Sequence, residues 1–207
     1  MPADASPDDA NRARFDAAVR RFDEANSRDP NTESAAGRSW PRELLYARRL
    51  SEWVQTLCPN ASEELRLAAR GQHLCRWMIS RRSYEMTKAG YLRWRNDLKK
   101  FHAQKAGDIL REAGYPEAVI IRVRDLNLKT NFPDDPDSRV LEDALCLVFL
   151  EHQFADLASR TTDDKMVNAL RKSWQKMTPA AHDHALRLPF GSREKSLIER
   201  ALGSIHS

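Results

Sequence analysis

Apolar residues return every three or four positions along nearly the whole chain, the spacing of one face of an α-helix. Phe15, Ala18, Val19 and Phe22 form the first such stripe. Ser6-Pro7-Asp8-Asp9 precedes it and reads as an N-cap, a proline at the first helical position and acids facing the helix dipole. Tyr46, Leu50, Trp53 and Leu57 predict a second helix over Pro41–Leu57, stopped by Cys58-Pro59. A third should begin near Ser62 and run past Trp77, followed by a basic loop from Met78 to Met86. The fourth should start near Thr87 and end before Gly114, and Pro116 should open a fifth carrying Val119, Ile120, Val123 and Leu126. Beyond a turn-rich break at Asn131–Ser138, Val140–Phe154 is apolar on most faces, which predicts the central helix of a bundle. Met166, Leu170, Trp174 and Met177 then form a stripe capped by Thr161 or Thr162. A short helix follows from Thr178-Pro179, and Ser192 should cap a last one with Leu197, Ile198, Ala201 and Leu202. No stretch alternates with period two for long enough to predict a strand. The pattern implies an all-α fold, a single orthogonal bundle of about seven to nine helices.

The polar stretch Ser27–Trp40 is the one internal linker the pattern offers. It sets off residues 1–40, an N-terminal helix and linker packing on the rest, from a helical main domain over 41–207. A length of 207 residues supports one sizeable core and is too short for two full domains. Only 7 glycines argues against an all-β fold, which needs many tight turns. No apolar run nears the roughly 20 residues that span a bilayer, so no membrane is expected. The three cysteines, Cys58, Cys75 and Cys146, are odd in number and widely spaced. They predict neither a disulfide framework nor a CxxC metal pair, but small buried side chains. The N-terminus has early acids and no apolar signal core, and a cytoplasmic protein is the expectation.

Charge changes the picture more than composition does. The net charge is only +4, yet Arg66–Lys105 holds 11 basic residues and two acids, Glu85 and Asp97, while the rest of the chain is acidic on balance. Trp77, Tyr84, Tyr91, Trp94 and Phe101 are interleaved. Arginine and lysine neutralise phosphates, and aromatic faces stack bases. A face that needed only solubility could use glutamate and lysine alike. The imbalance therefore favours an anion-binding surface over a merely solvated face, with Arg70, Arg76, Trp77, Arg95, Lys99 and Lys105 as its candidate residues.

Of six histidines, His73 and His102 fall inside the basic segment. Helical spacing would put His73 beside Ala69, Arg70, Arg76 and Trp77, and His102 beside Leu98, Lys99, Lys105 and Ala106. His182 and His184 are two apart and read as surface residues. Glu142 and Asp143 sit in the apolar central helix, where an acid needs a metal, a basic partner or exposure near the helix start. His73, His102 and Asp143, from three helices, are the candidate catalytic and metal-ligating set. Two imidazoles and a carboxylate suit a divalent metal whose bound water attacks a phosphate ester. No HExxH fixes two ligands on one helix, and a hydrogen-bonded or anion-binding role for the histidines stays open.

The blocks ELLYARRLSEW, LAARGQHLCRW, TKAGYLRWRNDLKKFHAQKAGDILREAGY and LEDALCLVFLEHQF resemble a bacterial and fungal family catalogued as a domain of unknown function, number 4202. The resemblance covers nearly the whole chain. The order His73, His102, Asp143 is also similar, more weakly, to HD-domain phosphohydrolases. Those are all-helical, and in them histidines and aspartates of successive helices bind a metal. That likeness implies His73 as the histidine of the His-Asp pair, His102 as a later helix histidine and Asp143 as the late aspartate. Leu74 stands where the paired aspartate belongs, and Tyr46 or a neighbour where the first histidine belongs.

Three functions follow as expectations. The first is a metal-dependent phosphohydrolase, or an HD-like protein that holds a nucleotide or another phosphate-bearing small molecule. The second is a nucleic-acid (tRNA) module using the basic face without chemistry. The third is a helical protein-interaction module with an acidic partner. HIGH, KMSKS, Walker P-loop, GxGxxG and nucleophile-elbow motifs are absent, which argues against a complete aminoacylating enzyme.

Overall fold

The computed structural model describes residues 6–203, so His206 lies outside the described residues. It contains ten α-helices: α1 Pro7–Ser27, α2 Arg42–Leu57, α3 Glu63–Gly71, α4 Lys88–Glu112, α5 Glu117–Leu128, α6 Pro136–His152, α7 Phe154–Arg160, α8 Asp163–Trp174, α9 Pro179–Leu186 and α10 Ser192–Leu202. The fold is all-α apart from one small hairpin, with one helix more than the upper expectation. The extra one is α7: Gln153 leaves helical geometry (φ −123°, ψ −20°), so the apolar run breaks there. Expected caps are seen at Ser6, Ser62, Thr87 and Thr178, whose hydroxyls accept from backbone N–H groups of the first turn. At α10 the cap position is Gly191, and Ser192 is the first helical residue.

The expected linker is ordered. β1 (Thr32–Ala35) and β2 (Arg38–Pro41) pair antiparallel, with Ala35 opposite Arg38. Ala36 and Gly37 both take positive φ, 50° and 72°, the geometry of a tight two-residue hairpin turn. Four-residue strands are too short for alternation to register. The hairpin docks back on α2, whose cap residue Pro41 has no side chain to offer. Asp29 supplies the cap instead, accepting from Glu43 N at 3.0 Å.

Two apolar clusters make the core. One joins Phe22 of α1, Leu50 and Val54 of α2, Leu65 and Leu67 of α3, Leu110 of α4 and Ile120 and Val123 of α5. The other joins Phe154, Met166, Leu170, Ala181 and Leu197. The α6 helix feeds both: Leu141, Ala144 and Val148 enter the first, Cys146, Leu147 and Leu150 the second. It is the central helix that its apolar faces predicted. Among the described residues no helix is long and apolar enough to cross a membrane.

Candidate functional site

The third helix is shorter than its pattern implies, and this places His73. At Gly71 a Cβ would lie 3.3 Å from Ala106 Cβ and 3.6 Å from Phe22, so the end of α3 packs tightly on α4 and α1. The chain then turns, and Cys75 takes a left-handed conformation (φ 54°), costly for a residue with a Cβ. Buried Asn26 holds it there, accepting from Cys75 N at 2.9 Å. His73 therefore projects from a turn, and Arg76 opens a short 3-10 helix (Arg76–Met78) just past the strained Cys75.

The turn brings His73 against the start of α2 and the middle of α4. Its ring stacks on Tyr46 at 4.1 Å between centroids, 12° from parallel, and its Nδ1 faces Glu43 Oε2 at 3.3 Å. The His102 ring lies 5.7 Å from it. His102 Nδ1 is 2.8 Å from the Leu74 carbonyl oxygen. A carbonyl only accepts, so Nδ1 carries the proton and Nε2 keeps a lone pair. That Nε2 is buried and has no hydrogen-bond partner among the described residues. Such orphan acceptors are rare and call for a functional account.

Both imidazoles are held neutral. Burial, then His73, Arg76 and Arg95, push the His102 pKa down to about 3, against the Leu74 bond. Burial also lowers His73, with Arg76 and Arg95 adding to it and Glu43 opposing. Burial and the Glu43 charge keep the Tyr46 phenol well above its ordinary value, again against Arg76 and Arg95. The same two guanidinium groups bear on all three rings. The His73 side chain stays a quarter exposed and His102 only 4%, so His73 is the ring nearer the surface and His102 the deeper one.

The expected basic residues separate into groups. Arg76 lies over the Trp94 ring at 5.0 Å. Arg95, Lys99 and His102 follow at i, i+4 and i+7 along one face of α4. Arg76, Arg95 and Lys99 have no ion-pair partner among the described residues. Arg70 is committed elsewhere: its Nε and Nη2 each reach an Asp23 carboxylate oxygen at 2.7 Å. Trp77 and Lys105 line a separate surface depression with Cys75, Met78 and Arg111. The two acids of the basic segment are also engaged, Glu85 by Arg93 and Asp97 by the Tyr84 hydroxyl.

Asp143 does not join the histidines. Its carboxylate accepts from Thr178 N at 2.9 Å and from Thr178 Oγ1 at 2.6 Å, fastening the start of α9 to α6. Among the described residues no group of three or more His, Cys, Asp or Glu could hold a metal ion. The residues present thus do not fit the expected metal centre of His73, His102 and Asp143. His182 is not a plain surface residue either: it stacks on Trp174 at 3.9 Å, and its Nε2 lies 2.9 Å from the Trp174 carbonyl.

Some residues here escaped the sequence reading. Glu43, the first-turn acid of α2, was not among the candidates. Lys129 and Lys176 lie far outside the basic segment, yet both pair with buried Glu142, Lys176 at 3.1 Å. Lys129 caps α5 in a left-handed conformation (φ 59°). Half-buried Lys99 has its pKa lowered by burial and then by Lys129, Arg95 and Lys176, with Glu142 opposing. The lysines of α4, α5 and the α8–α9 link therefore share one field. The family model described as "Domain of unknown function (DUF4202)" matches residues 16–198. No curated protein and no solved structure matches the chain.

Proposed function

For a chain that belongs to the DUF4202 family, we propose that the site around His73 and His102 binds a phosphate-bearing small molecule of the nucleotide class. One observation carries this: Arg76 and Arg95 both bear on two neutral imidazoles, Lys99 follows Arg95 on the same face of α4, and none of the three has an ion-pair partner among the described residues. Clustered cations without counter-charge repel one another, and an anion relieves that cost. The imidazoles have a different part. With Nδ1 donating to Leu74 and facing Glu43, each ring offers Nε2 as an acceptor. An acceptor repels phosphate oxygen and suits a hydroxyl, amine or water. In this reading His73, backed by Glu43, serves as the base of a phosphohydrolase-type reaction. The HD-like reading keeps His73 and His102 and gives up Asp143 to α9. A cytoplasmic setting suits the three free cysteines.

The test is equilibrium binding of adenosine monophosphate and inorganic phosphate to the wild-type protein and to Arg95→Glu/Lys99→Glu. The double variant should bind at least tenfold more weakly and keep the wild-type circular dichroism spectrum. Equal affinity in a folded double variant refutes the proposal. A second reading rests on Met86, Tyr91 and Leu92, which are 78%, 44% and 58% exposed among Arg82, Lys88 and Arg93. There the basic face would stack single-stranded RNA, with steeply salt-dependent affinity.

A further inference from the structure

The cationic field continues past Lys99. Lys129 reaches Glu142 from the C-terminus of α5, and Lys176 reaches the same carboxylate from the α8–α9 link. Glu142 is buried at 4% exposure, and it serves two ammonium groups at once. Among the described residues, the acids set against Arg76, Arg95, Lys99, Lys129 and Lys176 are Glu43, which is turned toward His73, and Glu142, which pairs with Lys129 and Lys176. The surplus is about three positive charges, whereas one phosphate monoester carries about −1.5 to −2.

We propose that the site takes two linked phosphates, a phosphoanhydride such as a nucleoside diphosphate or pyrophosphate. Arg76 and Arg95 hold one phosphate, and Lys99, Lys129 and Lys176 hold the other. This rests on the phosphate-binding reading above and names its ligand more closely. Two further observations favour it. Arg95 and Lys99 are one helical turn apart on one face of α4, about 6 Å along the axis, so two long cationic side chains leave the helix on the same side. In addition, two of the described non-glycine residues with positive φ bracket the site: Cys75 between Leu74 and Arg76, and Lys129 itself. At Lys129 the Thr130 N–H bonds back to Asp125 O at 3.1 Å, a helix end that normally uses glycine. A lysine there accepts backbone strain, and its ammonium group is what glycine could not supply. Strain of this kind gathers at binding sites.

The experiment is calorimetric titration of inorganic phosphate, pyrophosphate and tripolyphosphate into the wild-type protein, Lys176→Gln and Lys176→Arg, at one fixed ionic strength and with chelator present. Lys176→Gln leaves Glu142 its Lys129 partner, so the fold is kept. Pyrophosphate should bind the wild type about tenfold or more tighter than phosphate. The ratio should fall toward one in Lys176→Gln and return in Lys176→Arg. Phosphate and pyrophosphate binding equally well, or a ratio unchanged in Lys176→Gln, overturns the two-phosphate site and leaves the phosphate reading standing. If none of the three anions binds, both fall together.

Discussion

Replacing Asp143 by alanine should unfold the protein more easily without emptying its anion site. The buried Asp143 carboxylate, 3% exposed, accepts two bonds from Thr178, at 2.9 Å to N and 2.6 Å to Oγ1. Hydrogen bonds to an ionised group contribute about 1.5–3 kcal/mol each. The gross loss is therefore about 3–6 kcal/mol. Part of it is offset, because the variant no longer buries a charge and the Thr178 hydroxyl can turn elsewhere. The net cost should be about 2–4 kcal/mol, which for a chain of this length lowers Tm by about 4 to 16 °C. Asp143→Asn keeps an acceptor and should lose roughly half as much. Urea denaturation followed by circular dichroism gives the free energies, and phosphate titration of the folded variant gives the affinity. A stability change below about 1 kcal/mol together with a lost anion affinity would refute the reasoning. Asp143 would then belong to the site, as the spacing His73, His102, Asp143 first suggested.

Four other outcomes are expected. Because His102 sits at about 3 in the fold and near 6.5 when free, the unfolded chain binds more protons between those values. Stability is then fully present above about pH 6.5 and lost as pH falls toward 3, and His102→Gln should flatten that slope; an NMR titration in which the His102 ring protonates near pH 6.5 contradicts this. Lys129→Gly relieves the left-handed backbone by about 1 kcal/mol yet removes one partner of buried Glu142, so a net loss of about 1–3 kcal/mol should appear on denaturation, and a stabilised variant would show the ion pair to be idle. Phe22→Ala, at a site with no exposure, should cost about 3–5 kcal/mol in the same assay, and near-zero cost would detach α1 from the core. Leu147→Ala should cost about 2–5 kcal/mol through the second cluster, measured the same way.

The fold was legible wherever local chemistry decides it. Thr87 and Gly114 bound α4 because a hydroxyl cap and a left-handed glycine act within a few residues. Val140–Phe154 was recognisable as central because only a helix covered on several sides can be apolar on several faces. The site was half legible. Arg95, Lys99 and His102 share a face by spacing alone, so reading along one helix finds them. Lys129 and Lys176 are brought in by tertiary packing, and no local rule links them to residue 99. His73 illustrates the opposite error. Continued helical periodicity placed it beside Arg70, but α3 ends at Gly71, and the turn that follows aims it at Glu43 and Tyr46.

The position of α6 between the two clusters limits how the molecule can be divided. Its Leu141–Val148 side is covered by the N-terminal elements and its Leu147–Leu150 side by α7 to α10. Between them, Glu142 and Asp143 take their partners from residues 176 and 178. Cutting the chain in the stretch between α7 and α8 would strip an apolar wall from one half, leave Asp143 without both of its donors and leave Glu142 with Lys129 alone. No shorter fragment built around the basic helices retains the whole field at Lys99. The C-terminal third thus supplies Lys176 to the charge around Glu142, and shuffling or fusion of this chain would have to carry α1 to α10 as one piece.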